Sequence, residues 1–180
     1  MKNKFFTNKL VCFANFVPAA QIRRLRKGMV IKMTTIKMIE THSPEETRAF
    51  GERIGREARP GQVYTLIGDL GVGKTVFTQG VAAGLDISGP VNSPTFTILQ
   101  VYEEGRLPFY HFDVYRIADV EEMEEIGCED CFYGQGICLV EWADRIRDIL
   151  PEHYIEITIE KDLQKGLDYR RITMTQGGYL

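Results

Sequence analysis

Apolar positions along the chain fall into two kinds of run, and the contrast predicts an α/β fold. Residues 62–67 (QVYTLI) and 137–141 (ICLVE) are nearly continuous in apolar character, the pattern of strands covered on both faces. Residues 154–160 (YIEITIE) and 169–175 (YRRITMT) instead alternate with period two, which predicts an antiparallel pair with one wet face. Residues 36–40 (IKMIE) read as a further short strand. Residues 96–102 and 108–116 read as two more, joined as a hairpin through Glu103, Glu104, Gly105 and Arg106.

Helical signals lie between the strands. Ser43 can cap a helix, Pro44 suits its first position and Glu46 completes a capping box; Pro60-Gly61 should stop it near Arg59. A second helix is predicted from Lys74 to about Ala83, with Phe77 and Val81 on its buried face and Gly84 as its stop. Residues 86–95 read as loop, Asp119 can cap a helix over VEEMEEIG, and a short helix spans Asp144 to Leu150 before Pro151. Continuous runs beside alternating ones imply a mixed β-sheet flanked by helices.

Composition narrows this reading. At 180 residues, 44% hydrophobic and 26% charged, the chain has the size of one domain and the make-up of a folded one. No run of eighteen apolar residues is present to cross a bilayer. The net charge of −3 hides an asymmetry: residues 1–32 hold eight Lys/Arg and no acid, which leaves residues 33–180 with 14 basic against 25 acidic side chains. So acidic a domain is poorly suited to gripping nucleic acid directly, because phosphate neutralisation needs clustered cations. Residues 1–32 therefore read as a basic N-terminal extension on a single domain at 33–180. An upstream start with Met33 opening the domain is the preferred explanation, since a helix signal follows soon after; a targeting peptide and a partner-contacting arm are the alternatives. Of Cys12, Cys128, Cys131 and Cys138, only Cys128 and Cys131 have zinc-like spacing, and no second pair completes a site, so free thiols in a reducing, cytoplasmic setting are expected.

The chemistry concentrates in Gly68-Asp69-Leu70-Gly71-Val72-Gly73-Lys74-Thr75, which fits G-x-x-x-x-G-K-[ST] between an apolar strand and a helix. Glycines at these positions let the backbone turn its N–H groups inward on phosphate oxygens. Lys74 reaches the β/γ oxygens, and the Thr75 hydroxyl suits Mg²⁺. Such a loop needs an acid at the end of a neighbouring strand, and Glu141 is the best candidate. Asp113 is a second carboxylate, placed near metal or the attacking water; if its strand alternates, His111, Asp113 and Tyr115 share a face. His111 reads equally well as a structural hydrogen-bonder. Thr95, in Ser93-Pro94-Thr95-Phe96, sits where a switch residue would sense the γ-phosphate. Trp142 follows Glu141 directly and reads either as a partner contact near the nucleotide mouth or as a core residue.

Together, GDLGVGKT at 68–75, SPTF at 93–96, HFDVYR at 111–116, EEIG at 124–127 and ICLVEW at 137–142 resemble the TsaE (YjeE) family of bacterial P-loop ATPases. The resemblance spans roughly residues 36–175. It implies a P-loop NTPase-like core, ATP and Mg²⁺ as ligands, a metal shell from Thr75 and Glu141, and slow hydrolysis in which Lys74, Asp113 and Glu141 take part. ATP contacts fall on Gly68, Gly71, Val72, Gly73, Lys74, Thr75 and Val76. Two more are implied, one at the start of the first helix near Pro44 (shifted to Ser43 or Glu45, since Pro44 departs from the acidic residue members can carry) and one at Gly166. The implied partners are TsaB and TsaD, with tRNA met only through their complex during threonylcarbamoylation of adenosine 37. A small-molecule kinase, with Arg145 and Arg147 as its lid pair, and a nucleotide-gated binding module without required turnover remain as alternatives. The sequence lacks the base-reading motif of a GTPase.

Overall fold

The computed structural model describes residues 31–179, so most of the basic extension lies outside the described residues. Seven strands form one sheet: β1 (Ile31–Thr41), β2 (Val63–Ile67), β3 (Leu99–Tyr102), β4 (Phe109–Asp113), β5 (Ile137–Glu141), β6 (His153–Lys161) and β7 (Arg170–Tyr179). Their spatial order is β1-β7-β6-β2-β5-β4-β3. The four central strands, β6, β2, β5 and β4, run parallel, and antiparallel strands close both sides. This is the mixed α/β sheet that the two kinds of apolar run predict.

The central runs are continuous because both faces are covered. Tyr64, Leu66, Ile137 and Leu139 pack on one face with Phe50, Ile54, Phe77 and Val81 from helices α1 (Pro44–Glu57) and α2 (Lys74–Gly84). Val63, Cys138 and Val140 face the other side. They meet Met123 of α3 (Glu121–Glu125), Phe132 of α4 (Cys128–Phe132) and Ile146 of the 3₁₀ segment Ala143–Ile149. Ser43 caps α1 as expected, its hydroxyl accepting the Glu46 N–H at 3.1 Å, but the Glu46 carboxylate accepts the His42 N–H at 2.7 Å, one residue before the N–H that a capping box uses.

Several predicted boundaries move, each for an identifiable reason. The strand expected at 36–40 begins at Ile31, two residues ahead of Met33, because β7 supplies backbone partners along its whole length, with a bulge between Thr35 and Lys37. The strand expected at 96–102 starts only at Leu99. The Thr97 and Ile98 N–H groups both donate to the Pro94 carbonyl, and Ile98 takes φ 65°, so residues 94–98 form a turn. The strand expected to reach Arg116 ends at Asp113, whose carboxylate accepts the Tyr115 N–H at 3.1 Å in a local turn. The acidic helix is cut at Gly127, φ 73°, which splits off α4, an element the pattern did not predict. Val120, not Asp119, precedes α3, where the Glu122 carboxylate accepts the N–H groups of Ala118 and Asp119.

Gly84 lies within α2 and does not stop it. A Cβ at Gly84 would sit 2.1 Å from the Glu52 carbonyl oxygen, so this glycine serves close approach of α1 and α2. Among the described residues, no helix is long and apolar enough to cross a membrane.

Candidate nucleotide-binding site

The parallel register assembles the site. Leu66, at the end of β2, pairs with Glu141, and Glu141 pairs in turn with Asp113 of β4. The carboxyl ends of three parallel strands thus carry the glycine loop, Glu141 and Asp113 to one edge of the sheet, where ligands of open α/β folds bind.

The loop takes the backbone shape its glycines permit, with Gly68, Gly71 and Gly73 at φ 153°, 73° and 105°. Gly68 also runs under β6, where a Cβ would lie 2.6 Å from the Ile159 carbonyl oxygen. Gly73 precedes α2 and no side chain caps the helix, so its first N–H groups are left to an anionic ligand. A cavity of about 420 Å³ opens beside it, lined by Gly71, Gly73, Lys74, Thr75, Val76, Ser93, Thr95, Asp113, Glu141 and Trp142, with Leu70 and Tyr115.

Lys74 is held within this cavity wall. Its Nζ donates to the carbonyls of Gly68 at 2.7 Å and Asp69 at 3.1 Å and lies 4.1 Å from the centre of the Trp142 ring. Burial pushes the ammonium below the ordinary lysine value, opposed by the negative charges of Glu141, Asp113 and Asp69. Such a cation gains from any phosphate that replaces the carbonyls.

The two carboxylates have different surroundings. Asp113 accepts the Ser93 hydroxyl at 2.6 Å, the Thr95 hydroxyl at 2.7 Å and the Tyr115 N–H, so it ties the segment after α2 to the end of β4. Glu141 is buried, and its Oε1 lies 2.9 Å from His111 Nε2. His111 and Asp113 lie on one face of β4, as alternation predicts, since both neighbour Glu141; Tyr115 lies beyond the strand end and is 48% exposed, while His111 is sealed in the sheet. Trp142, at φ 61°, is half-buried against Tyr115, so it belongs to the cavity wall more than to the core.

A smaller cavity of about 170 Å³ adjoins the loop from the other side, lined by Pro44, Thr47, Gly71, Val72, Gly73, Val76, Asp168 and Arg170. The start of α1 therefore does come to the P-loop. Pro44 lines the cavity, whereas the Ser43 hydroxyl is committed to its cap. Gly166, at φ 133°, lies in the β6–β7 turn, and Asp168 and Arg170 are the residues from that region on the cavity wall. Lys165 and Tyr169 both donate to Glu40 Oε1, at 2.9 and 2.6 Å, and anchor the turn to β1.

The donor set suits Mg²⁺ shared with a phosphate. Among the described residues no group of three or more His, Cys, Asp or Glu could hold a metal ion. A hydroxyl from Thr75 and a carboxylate from Glu141 on one cavity fit an ion that takes few protein ligands and completes its shell from phosphate and water.

Sequence reasoning missed Ser93 and Arg170. Ser93 was within reach, as the first residue of SPTF. Arg170 donates to the Val72 carbonyl at 2.6 Å and so props the loop from β7, a role visible only once β7 is placed.

Comparison with known proteins points to one family. The family described as Threonylcarbamoyl adenosine biosynthesis protein TsaE matches residues 41–172. A tRNA threonylcarbamoyladenosine biosynthesis protein TsaE of Bacillus subtilis is 51% identical over 138 residues, which is 77% of this chain and 84% of that protein. A TsaE protein of Treponema pallidum is 44% identical over 119 residues, 66% of this chain and 87% of its own length. The crystal structure of Bacillus subtilis YdiB superposes with a TM-score of 0.66 at 42% identity, covering 81% of this chain and 86% of that one.

Proposed function

The chain belongs to the TsaE family, and from that premise we propose that it serves tRNA threonylcarbamoyladenosine biosynthesis as an ATP-binding, slowly hydrolysing ATPase. The observation that carries this reading is the convergence of an uncapped helix N-terminus, Lys74, Thr75, Glu141 and Asp113 on one cavity.

In this reading the loop N–H groups cradle the phosphates, and Lys74 exchanges the Gly68 and Asp69 carbonyls for β/γ oxygens. Thr75 and Glu141 hold Mg²⁺, which when bound neutralises charge developing on those oxygens. Asp113 holds the Thr95 hydroxyl, so a phosphate that recruits Thr95 must draw it away from Asp113. Pro44, Asp168 and Arg170 supply the wall on which the rest of the nucleotide rests.

The surface around the mouth supports docking on a protein. Leu70, within the loop, and Phe96, next to Thr95, are 86% and 87% exposed, and Tyr115 and Trp142 are aromatic members of the rim. TsaB and TsaD are the partners we propose, with tRNA held by their complex and not by this acidic chain. The kinase alternative is weakened at one member of its lid pair: Arg147 is bonded to Glu156, whereas Arg145 lies over the Tyr115 ring at the rim. A nucleotide-gated module without turnover is favoured by one observation, the Thr95–Asp113 bond, which couples phosphate occupancy to the segment bearing Phe96.

The test is ATP binding and turnover by the full chain, alone and with purified TsaB and TsaD from the same organism. Binding with stimulated turnover supports the ATPase reading. Binding without turnover, with partner docking still governed by ATP, selects the gated module. Absence of ATP binding overturns both.

A further inference from the structure

His111 is a buried ionisable side chain that this mechanism leaves unused. It is fully buried in β4, its ring is stacked on Phe109 at 5.9 Å and 6° between planes, and it does not line the nucleotide cavity. Its Nε2 lies 2.9 Å from Glu141 Oε1, while Nδ1 is buried and has no hydrogen-bond partner. A polar ring sealed in a sheet with one nitrogen unsatisfied is a cost that an apolar residue would avoid. What the ring supplies in return is one hydrogen bond, aimed at the carboxylate on the cavity wall.

We propose that His111 is a positioning residue for Glu141: its Nε2–H fixes the carboxylate so that it meets the metal shell in one orientation. An ionised carboxylate only accepts, so Nε2 is the nitrogen that carries the hydrogen, and the bare Nδ1 is then the cheaper one to leave unpaired. Both partners sit in the continuous part of the sheet. His111 pairs with Leu139 across the parallel β4–β5 ladder, and Glu141 pairs with Asp113, which holds the imidazole and the carboxylate in fixed register. Glu141 is 2% exposed, so water cannot substitute freely for the missing donor. Metal-binding carboxylates depend on such outer partners, whose loss typically weakens metal affinity about 10–100-fold.

The inference rests on the ATP–Mg²⁺ reading above, and its test separates the two. Binding of a fluorescent ATP analogue to the full chain is titrated in EDTA and then against Mg²⁺. In His111→Phe the affinity in EDTA should match the wild type, while the Mg²⁺ concentration for half-maximal effect rises about 10-fold or more. His111→Gln, whose amide nitrogen can reach the Nε2 position, should restore most of the loss. His111→Asn, whose amide reaches only the Nδ1 side, should not. If His111 acts through Glu141, then in the Glu141→Gln background His111→Phe should cause no further change.

A wild-type Mg²⁺ response in His111→Phe overturns the assignment. So does a shift that persists undiminished beside Glu141→Gln, or a Gln variant no better than Asn. Should the Phe variant fail to fold, the Gln and Asn pair decides by the same comparison. A wild-type chain that binds the analogue with no response to Mg²⁺ overturns the functional reading itself, and the role of His111 with it.

Discussion

Adding one methyl group at Gly55 should destabilise the protein, although helix propensity argues the opposite. Gly51 and Gly55 of α1 face Gly80 and Gly84 of α2. A Cβ at these positions would lie 2.3, 2.1, 2.1 and 2.1 Å from backbone carbonyl oxygens of Phe77, Val81, Arg48 and Glu52. Alanine in place of an interior helical glycine gains about 1 kcal/mol in propensity. Against that, the obstacle is backbone, so Val81 cannot rotate away and the helices must separate by about 1 Å to restore van der Waals distance. A gap of that order forfeits roughly a quarter to a half of each contact across the interface. That interface includes Phe50, Ile54, Phe77 and Val81. Overpacking costs about 1–3 kcal/mol, and a backbone obstacle belongs at the upper end. The net for Gly55→Ala is a loss of about 2 kcal/mol, or about 4–8 °C in Tm for a chain of this size. Thermal melting of Gly55→Ala beside Ala83→Gly, a half-buried position on α2 that should lose only the propensity difference, gives the comparison. Because both glycines hold the same pair of helices, Gly55→Ala with Gly80→Ala should cost less than the sum of the two. A Gly55→Ala protein as stable as the wild type would refute the reasoning.

The other predictions concern single groups. Lys74→Ala should abolish ATP binding by calorimetry while the fold survives, since the cavity loses its one inward ammonium; unchanged affinity would remove the P-loop reading. Trp142→Ala should cost well under the roughly 3–5 kcal/mol of a fully buried tryptophan, because the ring is only half-buried, yet weaken pull-down of TsaB and TsaD. A large loss of Tm with intact pull-down would return Trp142 to the core. Burial raises the thiol pKa of Cys128, Cys131 and Cys138, that of Cys128 to about 12, so all three should resist iodoacetamide at pH 8 until the protein is denatured, as read by mass spectrometry. Hydrogen bonds from Tyr169 and Lys165 hold the Glu40 carboxyl below its ordinary 4.5. Its contribution to stability is therefore complete above pH 4.5 and is lost as pH falls through the lowered value. Glu40→Gln should accordingly lower Tm at neutral pH and converge with the wild type in acid; a constant gap at all pH values would sink the assignment.

The P-loop was legible from residues alone because its function resides in a contiguous backbone: three glycines free to take positive φ, then a lysine and a threonine at the head of a helix. The central strands were legible because burial on both faces removes charged residues from 63–66 and 137–140, and the β6–β7 pair because one wet face imposes alternation. Tertiary structure decided what depends on partners distant in sequence. β1 reaches back to Ile31 only because β7 offers hydrogen bonds there. The turn at 94–98 closes locally on the Pro94 carbonyl, but it is Asp113, far along the chain, that ties it to the site by the Ser93 and Thr95 hydroxyls. Glycines that resemble helix breakers persist inside α1 and α2 because a second helix passes too close for a Cβ. His111 and Glu141 meet because parallel β4 and β5 lie in one register, and no local propensity encodes the register of two strands joined through intervening helices. Local chemistry is written in neighbouring residues, whereas a shared environment arises only when packing brings separate segments together.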